Sequence, residues 1–363
     1  MKGIKRSARI AVVVSSSAVW SAAVAQTSAV TLYGSIDEGI TYVNNQAGGA
    51  AWMTGVVAVP DKFGFKGTED LGGGTSAIFQ LENGFFSNTG TFASSGTMFN
   101  RHAWVGLSSK RAGVLTLGRQ WDLSNEVFTP NANGAVEYNN YLYHPGNLDN
   151  SAVTPVNNSI RYTTPRFGGW FAQGMYAFRD TSSGQGRYVG ATLRYSAGPL
   201  DAGFVYSDTN GRTYALKTLL GYASFMGQDF SGGASFRARN TTIMGLAGTY
   251  RVTPRWAVHG ILDHVRIETD VRSTTAYNAE LGIEWRVTAA NAITLGGFRG
   301  GVDGRQYTTV GIADLYHLSV RTMVYAEATT QFTSRGTGAT LPSLTSSSNS
   351  HQLALRIGVQ HFF

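Results

Sequence analysis

The chain has 363 residues, 45 of them glycine, with 12% aromatic and 14% charged residues, no cysteine and a formal net charge of +7. So few charges exclude a disordered chain, and the lack of cysteine excludes disulfide stapling. Abundant Gly, Tyr and Phe suit many strands joined by turns rather than helices.

In chain order, the first element reads as a secretory signal. Lys2, Lys5, Arg6 and Arg9 form a basic start, Ile10 to Val14 open a short apolar stretch interrupted by serines, and Ala23-Val24-Ala25 is an A-x-A cleavage site before Gln26. Residues 1–25 are therefore expected to be removed, leaving 26–363 as one β domain. The four signal cations carry no balancing acid, so the remainder holds about +3, which gives no warrant for nucleic-acid binding. No later stretch has an uninterrupted apolar run of about 18 residues, so no membrane helix is expected.

The first strand after the signal alternates. Val30, Leu32, Gly34, Ile36, Ile40 and Tyr42 share one face, and Thr31, Tyr33, Ser35, Asp37, Gly39 and Thr41 share the other; Glu38 is a misfit on the apolar side. Further strands are predicted near 56–69, 74–87, 98–109, 112–120, 156–164, 169–179, 186–197, 199–208, 212–225, 229–238, 241–252, 255–268, 275–287, 291–301, 305–317, 320–333 and 351–363. With 29–43 these make eighteen, an even count as a barrel with both termini on one side requires, and sixteen stays open because strand boundaries read from sequence are imprecise. Short connections such as Lys110-Arg111, Gly198-Pro199 and Thr253-Pro254 alternate with long ones at 44–55, 88–97, 121–155 and 334–350. Short turns at one end and long loops at the other are the layout of a transmembrane barrel. The Ser/Thr/Gly-rich run 334–350 reads as a mobile loop tip.

The last segment decides the class. Leu353, Leu355, Ile357, Val359, His361 and Phe363 alternate with Gln352, Ala354, Arg356, Gly358, Gln360 and Phe362. A tilted membrane strand needs about 9–11 residues, longer than the usual soluble strand. A soluble β-sandwich or solenoid explains strands and turns. It does not explain long strands throughout, nor the aromatic pairs Phe85-Phe86 and Phe362-Phe363, which fit interfacial girdles. The expected fold is all-β: a transmembrane antiparallel β-barrel of 16–18 strands.

Several motifs add a resemblance. They are Val30-Thr31-Leu32-Tyr33-Gly34, the run Phe63-Gly64-Phe65-Lys66-Gly67-Thr68-Glu69-Asp70-Leu71-Gly72, and Leu115-Thr116-Leu117-Gly118-Arg119-Gln120. Asn157-Asn158-Ser159-Ile160-Arg161-Tyr162 and the terminal His361-Phe362-Phe363 follow in order. With these, the chain resembles the trimeric general porins of Gram-negative bacteria, in particular their betaproteobacterial branch. The resemblance implies an outer-membrane homotrimer of sixteen-stranded barrels, surrounded by lipid and lipopolysaccharide. It implies that the barrel-assembly machinery reads the C-terminal strand, with Phe363 as the signal. It also implies that the third long loop, here about 121–155, folds inward and narrows the channel. The chain departs from the family in one extra hairpin within 212–301, in Lys62 and Gln360 where arginine is common, and in lacking a Pro-Glu-Phe-Gly-Gly loop motif.

Lys62 and Lys66 share a face with Gly64, opposite Phe63 and Phe65, and so point into the lumen. Arg161 shares parity with Asn157 and Ser159 and also points inward. Pattern groups Arg101 with Ala103, Val105 and Leu107, on the lipid side; the resemblance puts an eyelet arginine there, with His102 as the substitute. Arg119 reaches the lumen only if the chain leaves the wall, and Glu82 is expected to face inward. Asp122, Glu126, Glu137 and Asp149 are the loop acids available to face this basic wall. A basic cluster against few acids leads us to expect a passive channel for small hydrophilic solutes and ions, weakly selective for anions.

Two rival functions are an enzyme and a substrate-specific channel. For an enzyme there is no G-x-S-x-G or H-E-x-x-H, and His259 and His264 lie five apart on a strand and face opposite sides. No cofactor, metal or catalytic residue is expected. The closer rival is a substrate-specific channel, for example for sugars, using the loop aromatics Trp121, Tyr138, Tyr141 and Tyr143.

Overall fold

A computed structural model describes residues 29–55, 59–180, 184–230, 232–233, 235–334 and 336–363. The expected signal, 1–25, lies outside the described residues. Sixteen antiparallel strands close on themselves. They are β1 (Ala29–Gln46), β2 (Lys62–Gly72), β3 (Thr75–Phe86), β4 (His102–Ser109), β5 (Gly113–Trp121), β6 (Pro155–Thr163), β7 (Trp170–Ala177) and β8 (Tyr188–Ala197). Then come β9 (Leu200–Asn210), β10 (Asn240–Arg251), β11 (Trp256–Glu268), β12 (Ser273–Arg286), β13 (Asn291–Val302), β14 (Arg305–His317), β15 (Thr322–Thr333) and β16 (His351–Phe362). Each pairs with its sequence neighbour, and β16 returns to β1 in a register running from Ser35↔Phe362 to Val43↔Ala354. Two short strands, Gly49–Thr54 and Thr91–Phe92, join the sheet without spanning it.

Side-chain parity shows what surrounds the sheet. Leu262, Leu281, Leu295, Ile312 and Ile357 lie on the outer face and are exposed, Leu281 to 68%. The opposite parity carries Asp263, Glu280, Thr294, Thr309 and Arg356, all buried. An outer surface this apolar is stable against hydrocarbon, not water. Trp256 and Trp285 stack on the outside at the short-turn end, with ring centres 5.4 Å apart, and Trp170 packs on Tyr195 at the same end. These are interfacial rings. The misfit Glu38 accepts a hydrogen bond from the Ser87 hydroxyl at 2.7 Å.

The count of eighteen strands is corrected to sixteen. The segments 212–225 and 229–238 are not a hairpin of the wall. Between β9 and β10 the chain forms a helix, α3 (Leu216–Leu220), and pairs of two-residue strands. Its Tyr214, Leu216, Tyr222, Phe225, Phe230 and Phe236 bury against one another at the barrel mouth. An apolar cluster satisfies these rings better than alternation into lipid would. The run 334–350 is also tied down. Leu341 and Leu344 are buried beside Tyr141, and the Gln352 side chain accepts from the Leu341 N–H at 2.8 Å.

The connection between β5 and β6 folds into the barrel. It contains α1 (Leu123–Phe128) and α2 (Asn133–Val136). Leu123, Val127 and Phe128 are fully buried against Val205, Ile243 and Ile261 of the inner wall. The wall is bare where the loop presses closest. A Cβ on Gly245 would come within 2.6 Å of the Phe128 ring, and one on Gly311 within 2.7 Å of Leu142. Glu137 is carried into this packing and is fully buried. Burial, reinforced by the Glu280 carboxylate, pushes its carboxyl up to about 9. It is protonated at neutral pH.

Two predictions follow from the two faces. Leu281→Arg puts a charge on the lipid face near the middle of β12 and is expected to cost about 2–4 kcal/mol in denaturant unfolding from lipid vesicles. A neutral polar swap at inward-facing Thr309 is expected to change little. An acid whose folded pKa is raised destabilises the fold progressively as pH rises from its ordinary value toward the raised one. Glu137→Gln should therefore match the native chain in heat unfolding at pH 4 and exceed it at pH 8, by on the order of 1–3 kcal/mol. An offset independent of pH would show that Glu137 is solvated.

Candidate constriction of the barrel

The inner face of β2 to β6 carries cations. Lys62 and Lys66 sit opposite Ser35 and Thr31 of β1, on the face away from Phe63 and Phe65. Lys62 is half-buried, and the Lys66 ammonium stands 5.4 Å from the centre of the Tyr33 ring. Arg101 lies just before β4, ahead of the regular alternation. Its Nε donates to Glu82 Oε1 at 2.5 Å, and its guanidinium covers the Trp121 ring at 4.9 Å. Glu82 also accepts from the Tyr33 hydroxyl at 2.8 Å. His102 is buried against Trp121 with ring centres 4.2 Å apart, so Arg101 and His102 both lie on the inner side.

Arg119 is not brought into the lumen: it pairs opposite Ala103 with the parity of exposed Leu115 and Leu117, while the next residue, Gln120, bonds to inward-facing Thr116 and Ser159. The register of β5 against β6 shifts between Gly118 and Gln120, and Gly118 adopts φ +132°, a conformation that glycine tolerates. The Arg119 guanidinium donates to the Asn100 carbonyl at 2.7 and 2.9 Å and to the Asn157 side chain. Arg161 Nη1 meets Glu126 Oε1 on the loop at 2.8 Å.

Sequence reasoning missed Arg194. It lies on β8 with the parity of buried Thr192, opposite exposed Leu193. Its Nη1 donates to the Glu126 backbone carbonyl at 2.9 Å and its Nη2 to Asp201 at 3.1 Å. The same alternation that found Arg161 marks Arg194.

Of the four loop acids, only Glu126 meets the basic wall. Asp122 is buried as the N-cap of α1 and accepts from the Ser124 N–H at 2.6 Å. Burial raises its carboxyl above the usual range, against the opposing pull of Arg212. Glu137 is under the loop. Asp149 is buried 2.6 Å from His144 Nδ1. Burial alone would raise this carboxyl, but the imidazole beside it prevails and holds it low. His144 is shifted the opposite way: burial disfavours its charge, and Asp149 and Glu280 outweigh burial and raise it.

The loop aromatics are also occupied. Trp121 is held between Arg101 and His102. Tyr141 is buried and donates to the Thr41 hydroxyl at 3.3 Å. Tyr143 and Tyr138 pack on the apolar clusters beneath the loop. His259 is buried and 2.7 Å from the Asn133 side chain, while His264 is on the outer, exposed face.

Comparison with known proteins agrees with this architecture. The family described as Gram-negative porin matches residues 10–336. Outer membrane porin protein 32 of Delftia acidovorans is 38% identical over 195 residues, 50% of this chain and 54% of that one. A Bordetella pertussis outer membrane porin is 34% identical over 221 residues, 52% of this chain and 56% of that one. The chain thus spans about half the length of these curated relatives. The anion-selective porin from Comamonas acidovorans shares the fold, with a TM-score of 0.76 over 93% of this chain and 100% of that one at 23% identity. With a closed barrel, an inward loop and a family match along most of its length, the chain belongs to the Gram-negative porins.

Proposed function

We propose that this protein is a passive channel of the Gram-negative outer membrane, admitting small hydrophilic solutes and ions and favouring anions, with no catalytic step. The observation that carries this reading is the imbalance of charge across the passage. Lys62, Lys66, Arg101, Arg161 and Arg194 stand on the inner wall, and among the described residues Glu82, Glu126 and Asp201 are the carboxylates paired with them. The other loop acids are withdrawn into the packing. Between low-dielectric walls such an excess focuses a positive potential along the water path. The Comamonas acidovorans neighbour is described as anion-selective; the support here is this chain's own charge layout. A sugar-specific channel needs free aromatic faces along the path, and Trp121, Tyr138, Tyr141 and Tyr143 are engaged in packing.

The same reading includes a cleaved export signal at 1–25, a homotrimer in lipid and lipopolysaccharide, and delivery through the barrel-assembly machinery. Phe363 supports the last point. Its backbone N–H and C=O exchange bonds with Gly34 at 3.1 and 3.0 Å, so the final residue completes the closing ladder.

Planar-bilayer recording tests the channel. Discrete ohmic steps and an anion-directed reversal potential across a salt gradient are expected at neutral pH. Replacing Lys62, Arg101 and Arg161 together by Gln should lower the anion-to-cation permeability ratio about threefold or more. Cation selectivity of the native chain would overturn the anion preference, and saturable block by a sugar would favour the specific channel.

A further inference from the structure

We propose that the protein holds a divalent transition-metal ion of the zinc type behind the inward loop, ligated by His144 and Asp149 of the loop and Asp263 of β11, with Glu280 of β12 orienting the histidine. The donor atoms of the three ligands lie within 4.8 Å of one another, and all three residues are buried. His144 Nδ1 is 2.6 Å from Asp149 Oδ2 and 3.6 Å from Asp263 Oδ2. Zinc bonds of about 2.0–2.2 Å in a tetrahedron separate neighbouring donors by about 3.3 Å. Asp149 needs to withdraw by about 0.7 Å and Asp263 to approach by about 0.3 Å to reach that separation.

The second ring nitrogen lies beside a carboxylate, at ion-pair distance but without a formed hydrogen bond. His144 Nε2 lies 2.8 Å from Glu280 Oε2. A carboxylate behind a ligating imidazole fixes its tautomer and orientation and is the common outer partner of a metal-bound histidine. Glu280 is itself anchored, because its Oε1 accepts the Asn133 N–H at 2.6 Å.

Asp263 supplies an independent sign. Its side chain is fully buried on the wall, and Oδ1 accepts from the Asn278 amide at 3.1 Å. Oδ2 accepts no hydrogen bond and points at His144 Nδ1. A fully buried carboxylate oxygen left without a donor is costly unless a cation meets it. The cluster as a whole has the same deficit. Three carboxylates converge, and among the described residues His144 is the one cationic group within ion-pair distance of any of them. A divalent ion replaces the single proton at Nδ1 with two positive charges, and the proton leaves to solvent.

The donor set selects the metal. One imidazole nitrogen with carboxylate oxygens suits zinc and its neighbours, whereas calcium and magnesium take mainly oxygens and waters. Bound there, the ion fastens loop to wall, since two ligands come from the loop and one from β11. This proposal stands independently of which ions the channel passes.

The test uses the full chain in detergent, stripped with a chelator and titrated with Co²⁺ and then Zn²⁺. We expect about one Co²⁺ per chain with visible ligand-field absorption, displacement by Zn²⁺, and a rise in unfolding temperature on Zn²⁺ loading. Asp263→Asn keeps the side-chain shape and removes the charge, and should bind about tenfold more weakly or worse. His144→Gln should do the same and lose the stabilisation, while His317→Ala, at an exposed histidine, should bind as the native chain does. Sub-stoichiometric uptake by the native chain would overturn the proposal without recourse to any variant. Uptake undiminished in both Asp263→Asn and His144→Gln would overturn it equally.

Discussion

Everything in this molecule depends on the last strand finding the first. In hydrocarbon an unpaired backbone group has no water to turn to, so a sheet with two free edges is not a viable spanning structure. The β1–β16 ladder removes both edges at once. It is also pinned from inside. Arg356 of β16 reaches Asp37 of β1 at 3.3 Å and the Thr41 hydroxyl at 3.0 Å, and Asp37 accepts from the Tyr325 hydroxyl at 2.6 Å. A buried ion pair repays its desolvation only when its remaining hydrogen-bonding capacity is met. Here it is met, and Tyr141 of the loop joins the same network through Thr41. The seam that closes the barrel therefore also fixes one end of the loop inside it.

The loop divides the interior. Alternation alone distinguishes inside from outside, and it treats every inward residue alike. The structure does not. On β9 to β11 the inward positions include Val205, Ile243 and Ile261, which α1 covers. On β2 to β6 they include Lys62, Lys66, Arg161, the Glu82 carboxylate, His102 and hydroxyl or amide groups. One half of the inner wall is a packing surface with glycines where the loop lies closest, and the other half is left to water. Buried apolar area holds the loop in place, and the charges it leaves uncovered define the path.

How far the sequence could be read follows from this division. Long alternating strands, the short-turn and long-loop ends and the inward parity of Arg161 were legible, because hydrocarbon imposes a strict period of two. The same rule failed where the chain stops being a regular strand. Arg101 precedes the ladder, so parity counted from its neighbours points the wrong way. Residues 212–238 have strand-like composition but pack their rings together at the mouth. Among the loop acids, nothing local separates Glu126 from Glu137 or Asp149. Their fates are set by contacts with strands far along the chain.

Burial converts those fates into electrostatics. A carboxylate in the water path weighs against the basic wall, whereas one beneath the loop is either protonated, as Glu137 is, or matched by an adjacent cation, as Asp149 is by His144. Only the first kind screens a passing ion. Glu126 is the exception among the loop acids, and it too is constrained, since Arg161 holds its carboxylate and Arg194 its carbonyl. The two arginines thus fasten the loop to the wall at Glu126 and leave the rest of the wall's positive charge unopposed by the loop. The same contacts that set where the loop lies therefore set the sign of the field it leaves behind.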